Sequence, residues 1–200
     1  TQNLAISNTS AGTFTANGVE TIAVTGSLAA NKLTNIAGTG LTKITVSGDQ
    51  NFTMSGTTAV KTIDASQNTG KTSLVLGTAN QTVTLGSGDD TLNVVGTMTW
   101  ADKIQGGAGT DTIRLSVGNA TINGPATATD ISAEFLQSGG IEVIDVASTN
   151  DAATLALAKI SGVTTASVAS NVGVFGAVGT NEGVGDTVAF TFNGTSYKIG

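Results

Sequence analysis

The sequence predicts an all-β chain wound as a right-handed parallel β-solenoid, or β-roll, that ends in a C-terminal β-hairpin. Three observations predict it. Two nonapeptides, LGSGDDTLN at 85–93 and GGAGTDTIR at 106–114, follow the frame G-G-x-G-x-D-x-U-x, where U is a large apolar residue. A looser strand frame recurs at periods near twenty through the first 75 residues. Threonine and glycine are abundant: threonine, like valine, suits strands, and the 27 glycines punctuate the chain as turns.

Residues 1–75 are expected to form solenoid coils. VETIAVTG (19–26), LTKITVSG (41–48) and VKTIDAS (60–66) share an apolar-x-[TK]-Ile-x-[VA]-[ST] frame, with Ile22, Ile44 and Ile63 spaced by 22 and 19 residues. Alternation within each copy sends one row of side chains inward. Each copy is therefore expected to stack on its predecessor, with IEVIDVAS (141–148), centred on Ile144, as a fourth copy. Asn51 to Met54 and Thr72 to Leu76 are expected to form the other faces.

Residues 76–123 are expected to form a β-roll that binds calcium. Glycine takes left-handed and close-approach conformations cheaply, which permits a tight turn with inward carbonyls. Carbonyl and carboxylate oxygens suit calcium, a hard cation that accepts six to eight of them. The x-U-x tail is a short strand with its apolar residue inside, so one nonapeptide makes half a coil. Stepping outward by nine finds degenerate units. LGTANQTVT (76–84) keeps Gly77 and Val83 but has Gln81 at the aspartate position. TMTWADKIQ (97–105) keeps Asp102 and Ile104 after three extra residues, Val94 to Gly96. LSVGNATIN (115–123) keeps Gly118 and Ile122 but has Ala120.

With two units per coil, Asp90 and Asp111 should stack on one edge while Asp102 faces the other, between Gln81 and Ala120. Carboxylates one coil apart, about 4.8 Å, repel by about 0.9 kcal/mol in water and about 3.5 kcal/mol at an effective dielectric of 20. A dication between them reverses the sign. One calcium site is expected between loops 85–90 and 106–111. Asp90 and Asp111 are its side-chain ligands, and the loop backbone of Gly86, Gly88, Gly106, Gly107, Ala108 and Gly109 supplies carbonyls. Asp89 is either an extra ligand or a solvated turn residue. Neither glycine run precedes a helix or contains a lysine, which argues against a nucleotide loop.

In residues 124–200 the solenoid is expected to continue. Gly124-Pro125 marks a connection. Asp130 can cap a short helical turn, ISAEFLQ (131–137), ended by Gly139 and Gly140. DAATLALAKISG (151–162) is a brief helix or another strand. TVAFTF (187–192), Asn193-Gly194 and TSYKI (195–199) form a hairpin that caps the solenoid or belongs to a separate terminal piece.

Composition narrows the function. Charged residues are only 11%, histidine and cysteine are absent, and the net charge of −6 comes from scattered carboxylates. Seven lysines and one arginine form no basic stripe, which argues against nucleic acid as a partner. No apolar run approaches 18 residues, so no membrane span is expected. The chain begins at Thr1 without a signal peptide, which points to a fragment or to an export signal outside it. Catalysis is not expected. The acid pairs Asp49 with Asp64 and Glu142 with Asp145 are ordinary on solvated strand faces, and Arg114 is read as a surface strand residue.

The two nonapeptides, the ETIAV and IEVIDV strands and the threonine-rich, cysteine-free background together resemble RTX-type surface-layer (S-layer) proteins of Gram-negative bacteria. The specific motif covers 76–123, and the rest of the chain is similar more loosely. The resemblance implies a secreted structural protein of the bacterial cell surface that binds calcium and self-associates into a two-dimensional lattice. Copies of the chain and cell-surface polysaccharide are the partners it implies. Asp90, Asp111 and the glycines of their loops match the family's calcium positions, while Gln81 and Ala120 depart from them. Two alternatives are a calcium-stiffened RTX adhesin and the calcium-folded carrier region of a type I-secreted protein.

Overall fold

Alternating apolar and polar residues between glycine turns make strands buried on one side, and here they stack into one continuous parallel structure. The computed structural model describes residues 1–10, 12–56, 60–77, 80–94, 98–99, 101–115, 122–123, 138–146, 162–168, 188–192 and 195–199. Among these residues the chain is all β, with no helix.

Two sheets form the walls. Gln2–Ser7 (β1), Thr21–Ser27 (β3), Lys43–Gly48 (β6), Thr62–Asn68 (β8), Thr82–Thr84 (β10), Lys103–Gln105 (β13) and Ser138–Gly139 (β16) lie in that order in a seven-stranded sheet. The nine-stranded sheet runs through Asn31–Leu33 (β4), Phe52–Met54 (β7), Thr72–Leu76 (β9), Thr91–Val94 (β11), Thr112–Leu115 (β14), Val143–Val146 (β17), Thr165–Val168 (β18), Val188–Phe192 (β19) and Thr195–Ile199 (β20). Every pairing within these sheets is parallel except that of β19 with β20. Of the strands in these two sheets, those from β3 to β17 alternate between the walls in chain order, as in a β-solenoid. The terminal hairpin expected from its sequence is present as β19 and β20, and it continues the nine-stranded sheet. Its Asn193-Gly194 turn lies outside the described residues.

Register explains the core. Ile22 pairs with Ile44, Ile44 with Ile63, Ile63 with Val83 and Val83 with Ile104, one row up the inner face of the first sheet. Facing it, Leu74, Leu92, Ile113 and Ile144 form a second row. All nine are buried and belong to one hydrophobic cluster with Phe52, Met54 and Leu85. Each such side chain contributes about 1.5–3 kcal/mol by leaving water.

Two sequence expectations need correction. IEVIDV does not continue the series of Ile22, Ile44 and Ile63, because Ile144 pairs with Ile113 in the opposite sheet. Strands of both walls share the same alternation, so the motif does not distinguish them; only the number of half-coils does. Unit 115–123 also fails to continue the roll. Ile122 pairs with Met98 through Met98–Thr99 (β12) and Ile122–Asn123 (β15), whereas Ser138 is the residue stacked on Ile104. The step from Ile113 to Ile144 is consequently 31 residues, against 21 from Leu92 to Ile113. Ala120, Gly124-Pro125, the ISAEFLQ turn with Asp130, and all of 151–162 except Gly162 lie outside the described residues.

Candidate functional site: an acidic edge of the solenoid

Where the chain passes from the seven-stranded to the nine-stranded sheet, turns 69–71, 85–90, 106–111 and 140–142 follow one another along one edge. Thr91 is in register with Ser73, Thr112 with Thr91, and Val143 with Thr112. The residues just before these four, Thr72, Asp90, Asp111 and Glu142, therefore form one column. The structure brings Asp90 and Asp111 together on adjacent rungs.

Both side chains turn inward and are 0% exposed. Each reaches back by one coil. Asp90 Oδ1 accepts the Thr72 N–H at 2.6 Å, Asp111 Oδ1 accepts the Asp90 N–H at 2.8 Å, and Glu142 Oε2 accepts the Asp111 N–H at 2.8 Å. Asp90 also closes its own turn, taking the Gly86 N–H on Oδ2 at 2.9 Å. Asp111 Oδ2 is buried with no hydrogen-bond partner.

The glycines let the turns nest. Gly107 and Gly109 have φ of +100° and +116°, in the left-handed region. A Cβ at Gly107 would overlap the Gly86 carbonyl oxygen of the turn below. Ala108 N–H donates to that same oxygen at 3.1 Å. Gly88 lies under Gly109, whose Cβ would meet the Gly88 oxygen at 2.5 Å. Asp89 points outward, exposed, and its Oδ1 accepts the Thr110 N–H at 2.8 Å. It is a bridge between the two turns at their solvent side.

Electrostatics follow from burial. Desolvation pushes the Asp90 carboxyl above its ordinary range, opposed by the N–H bonds from Thr72 and Gly86 and by the charge of Lys71, with Asp89 adding to the rise. Asp111 is pushed up to about 6, first by burial; the Asp90 N–H opposes the shift, and the charges of Asp90, Glu142 and Asp89 reinforce it.

The opposite edge is built differently. Gln81, also buried, takes the Gly77 N–H on Oε1 at 2.6 Å, the same closure that Asp90 makes with Gly86. Its Nε2 then donates to the Val60 carbonyl at 2.6 Å, and its own N–H meets Asp102 Oδ1 at 2.7 Å. Asp102 thus sits on Gln81, away from the Asp90 column, as the two-unit coil requires.

Sequence reasoning missed Glu142 as a member of the column. Its signal is Gly139-Gly140 placed just ahead of an acid and an alternating strand, although the spacing differs from the nonapeptide. It also missed the ion pairs on the outer faces: Arg114 Nε to Asp145 Oδ2 at 2.7 Å and Lys43 Nζ to Asp64 Oδ2 at 3.3 Å.

For a divalent cation the donor set on this edge has the right character, because every group is a carboxylate or a backbone carbonyl oxygen. The unpartnered, buried Asp111 Oδ2 is an acceptor that such an ion would satisfy. No group of three or more acidic, histidine or cysteine side chains suited to a metal occurs among the described residues, so carbonyls would have to complete any coordination shell. No helix among the described residues is long and apolar enough to cross a membrane. No protein-family model, curated protein or solved structure matches this chain.

Proposed function

We propose that this chain is a calcium-folded structural segment of a secreted bacterial surface protein of the S-layer kind, in which copies associate into a lattice. The observation that carries the proposal is the stacked, fully buried pair Asp90 and Asp111. Buried carboxylates on adjacent rungs oppose folding at neutral pH unless something positive or a proton compensates them. Lys43 and Arg114 hold Asp64 and Asp145 on the outer faces, and Lys71, in turn 69–71, favours the ionised form of Asp90 without outweighing its burial. Calcium supplies the missing charge and cross-links the two turns. Asp90 and Asp111 would hold it, with carbonyls from Gly86, Gly88, Gly106, Gly107, Ala108 and Gly109 available from the turns and Asp89 at the rim.

The chain's own residues then act as a folding switch. Where calcium is scarce, as before export, the column carries uncompensated carboxylates and the roll is weakened. At a calcium concentration a hundredfold above the dissociation constant, the folded state gains about 2.7 kcal/mol. Assembly is thereby confined to the exterior. The low charge of the chain and the rows of threonine and serine on its strands support broad contacts between copies rather than chemistry at a point.

The direct test is thermal unfolding with and without calcium. The expected rise is about 5–11 °C at a hundredfold excess, and it should vanish in the double variant Asp90→Ala with Asp111→Ala. An unchanged rise in that variant overturns the site. Electron microscopy after calcium addition should show two-dimensional sheets; soluble monomers that bind glycans would mark an adhesin instead.

A further inference from the structure

Three of the four carboxylate oxygens of Asp90 and Asp111 already meet N–H donors: Asp90 Oδ1 takes Thr72 on the coil below, Asp90 Oδ2 takes Gly86 in its own turn, and Asp111 Oδ1 takes Asp90. Asp111 Oδ2 lies beside Gly106, where a Cβ would stand 2.6 Å from it and would also overlap the carbonyl oxygen of Gly140 on the next coil. Two oxygens from different rungs thus converge on the small space that the absent Gly106 side chain leaves. One of them is a fully buried carboxylate oxygen with no partner.

Glu142 lies on the same coil as Gly140. It is in register with Asp111, donates its N–H to the Asp111 carbonyl at 3.2 Å, and accepts the Asp111 N–H on Oε2. The turn that carries it is shorter than the nonapeptide turn. Gly139 is in register with Gln105, so Glu142 follows the counterpart of Gly106, Gly140, by two residues, whereas Asp111 follows Gly106 by five.

We propose a second divalent-cation site between turn 106–111 and turn 139–142, with Asp111 Oδ2 and the Glu142 carboxylate as charged ligands and the Gly140 carbonyl as a third oxygen. Hard oxygen donors and a loose shell completed by water suit calcium better than a softer metal. Asp111 is then shared, with Oδ1 turned to the coil below and Oδ2 to the coil above. The site extends the calcium reading of this edge, but it does not depend on an ion between Asp90 and Asp111.

Equilibrium dialysis of the full chain with calcium alone, beside thermal melting of the same samples, tests it. Wild type should bind two ions, Glu142→Gln one, Asp90→Asn one, and Asp111→Asn none. Glu142→Gln keeps an acceptor for the Asp111 N–H, so the fold is expected to persist. Should it not, Glu142→Asp shortens the reach and should weaken one site at least tenfold while leaving the other intact. A wild type that binds one ion, lost in Glu142→Gln and kept in Asp90→Asn, supports the upper site and removes the lower one. Unchanged stoichiometry and melting response in Glu142→Gln overturn the upper site alone. No binding to wild type at 10 mM calcium overturns both.

Discussion

Gln81 and Asp90 make the same closure with different chemistry. In each, a buried side-chain oxygen accepts the N–H of a glycine four residues earlier. Gln81 then has an amide left to donate to Val60, whereas Asp90 has only lone pairs and turns its second oxygen to the Thr72 N–H. An amide edge is satisfied by the chain itself. The carboxylate edge leaves Asp111 Oδ2 without a partner and retains buried charge, and that charge couples the fold to protons or cations. The first coils follow the neutral pattern: Asn31 accepts the Thr9 N–H and donates to the Ala29 carbonyl, and Asn68 donates to the Gly70 carbonyl.

The sharpest way to break this comparison is to put a carboxylate at position 81 itself. In Gln81→Glu the Val60 carbonyl would face a buried carboxylate in place of its amide donor. The expected loss at pH 7 is about 3–5 kcal/mol, as for a buried charge left unpaired. Lowering the pH to 4 should restore much of it, because a protonated glutamic acid can donate. Urea unfolding at both pH values measures the difference, and equal stability at pH 7 and pH 4 would show that the edge is not neutral by necessity.

The second largest effect is expected at the acidic edge. Asp111 titrates near 6 in the folded chain against an unperturbed value of 3.8. The folded state therefore binds this proton more tightly than the unfolded one. The resulting stability is fully present below about pH 4 and is lost as pH rises through about 6. The span corresponds to roughly 3 kcal/mol. Asp90 shifts in the same direction and adds to the fall. Asp64 acts oppositely and weakly: the Ser66 hydroxyl leads in lowering its pKa, and the group is a third exposed. Calcium-free protein should thus lose stability between pH 4 and pH 6.5, while saturating calcium, which favours the ionised form, should reverse the slope. Asp111→Asn should flatten the calcium-free profile.

Much of this was legible in the sequence because periodicity is a physical constraint on a solenoid. Ile22, Ile44 and Ile63 recur because each must cover the one before, and the frame around Asp90 and Asp111 recurs because nested turns must match. Legibility ended where the chain leaves the period. Between Ile113 and Ile144 the excursion lengthens the coil to 31 residues, so counting no longer gave the wall on which IEVIDV lies. Glu142 escaped for a related reason. Its turn is three residues shorter and its side chain one methylene longer, so the backward bond to the coil below is kept while spacing and residue type both change. The neutral edge was read as a loss of calcium chemistry at Gln81; the structure shows an amide performing the same closure with one donor more.

The smallest expected effect concerns the outer face, where charge is not buried. Arg114 and Asp145 are in direct register on β14 and β17, and their side chains meet at 2.7 Å, with Arg114 half exposed. The pair spans the same two coils as Asp111 and Glu142, so it contrasts an exposed ion pair with the buried acidic column on a single rung. Water and salt already compensate both ions in the unfolded chain, and holding an arginine in one geometry costs side-chain entropy. Arg114→Ala should therefore cost only about 0.2–1 kcal/mol, and less at 1 M salt. The calcium-dependent gain in melting temperature should be unaffected, because the guanidinium lies on the outer face and the column lies at the edge. A loss of calcium response in this variant would mean that the outer face and the acidic edge are energetically one unit, and the division between solvated and buried charge would have to be redrawn.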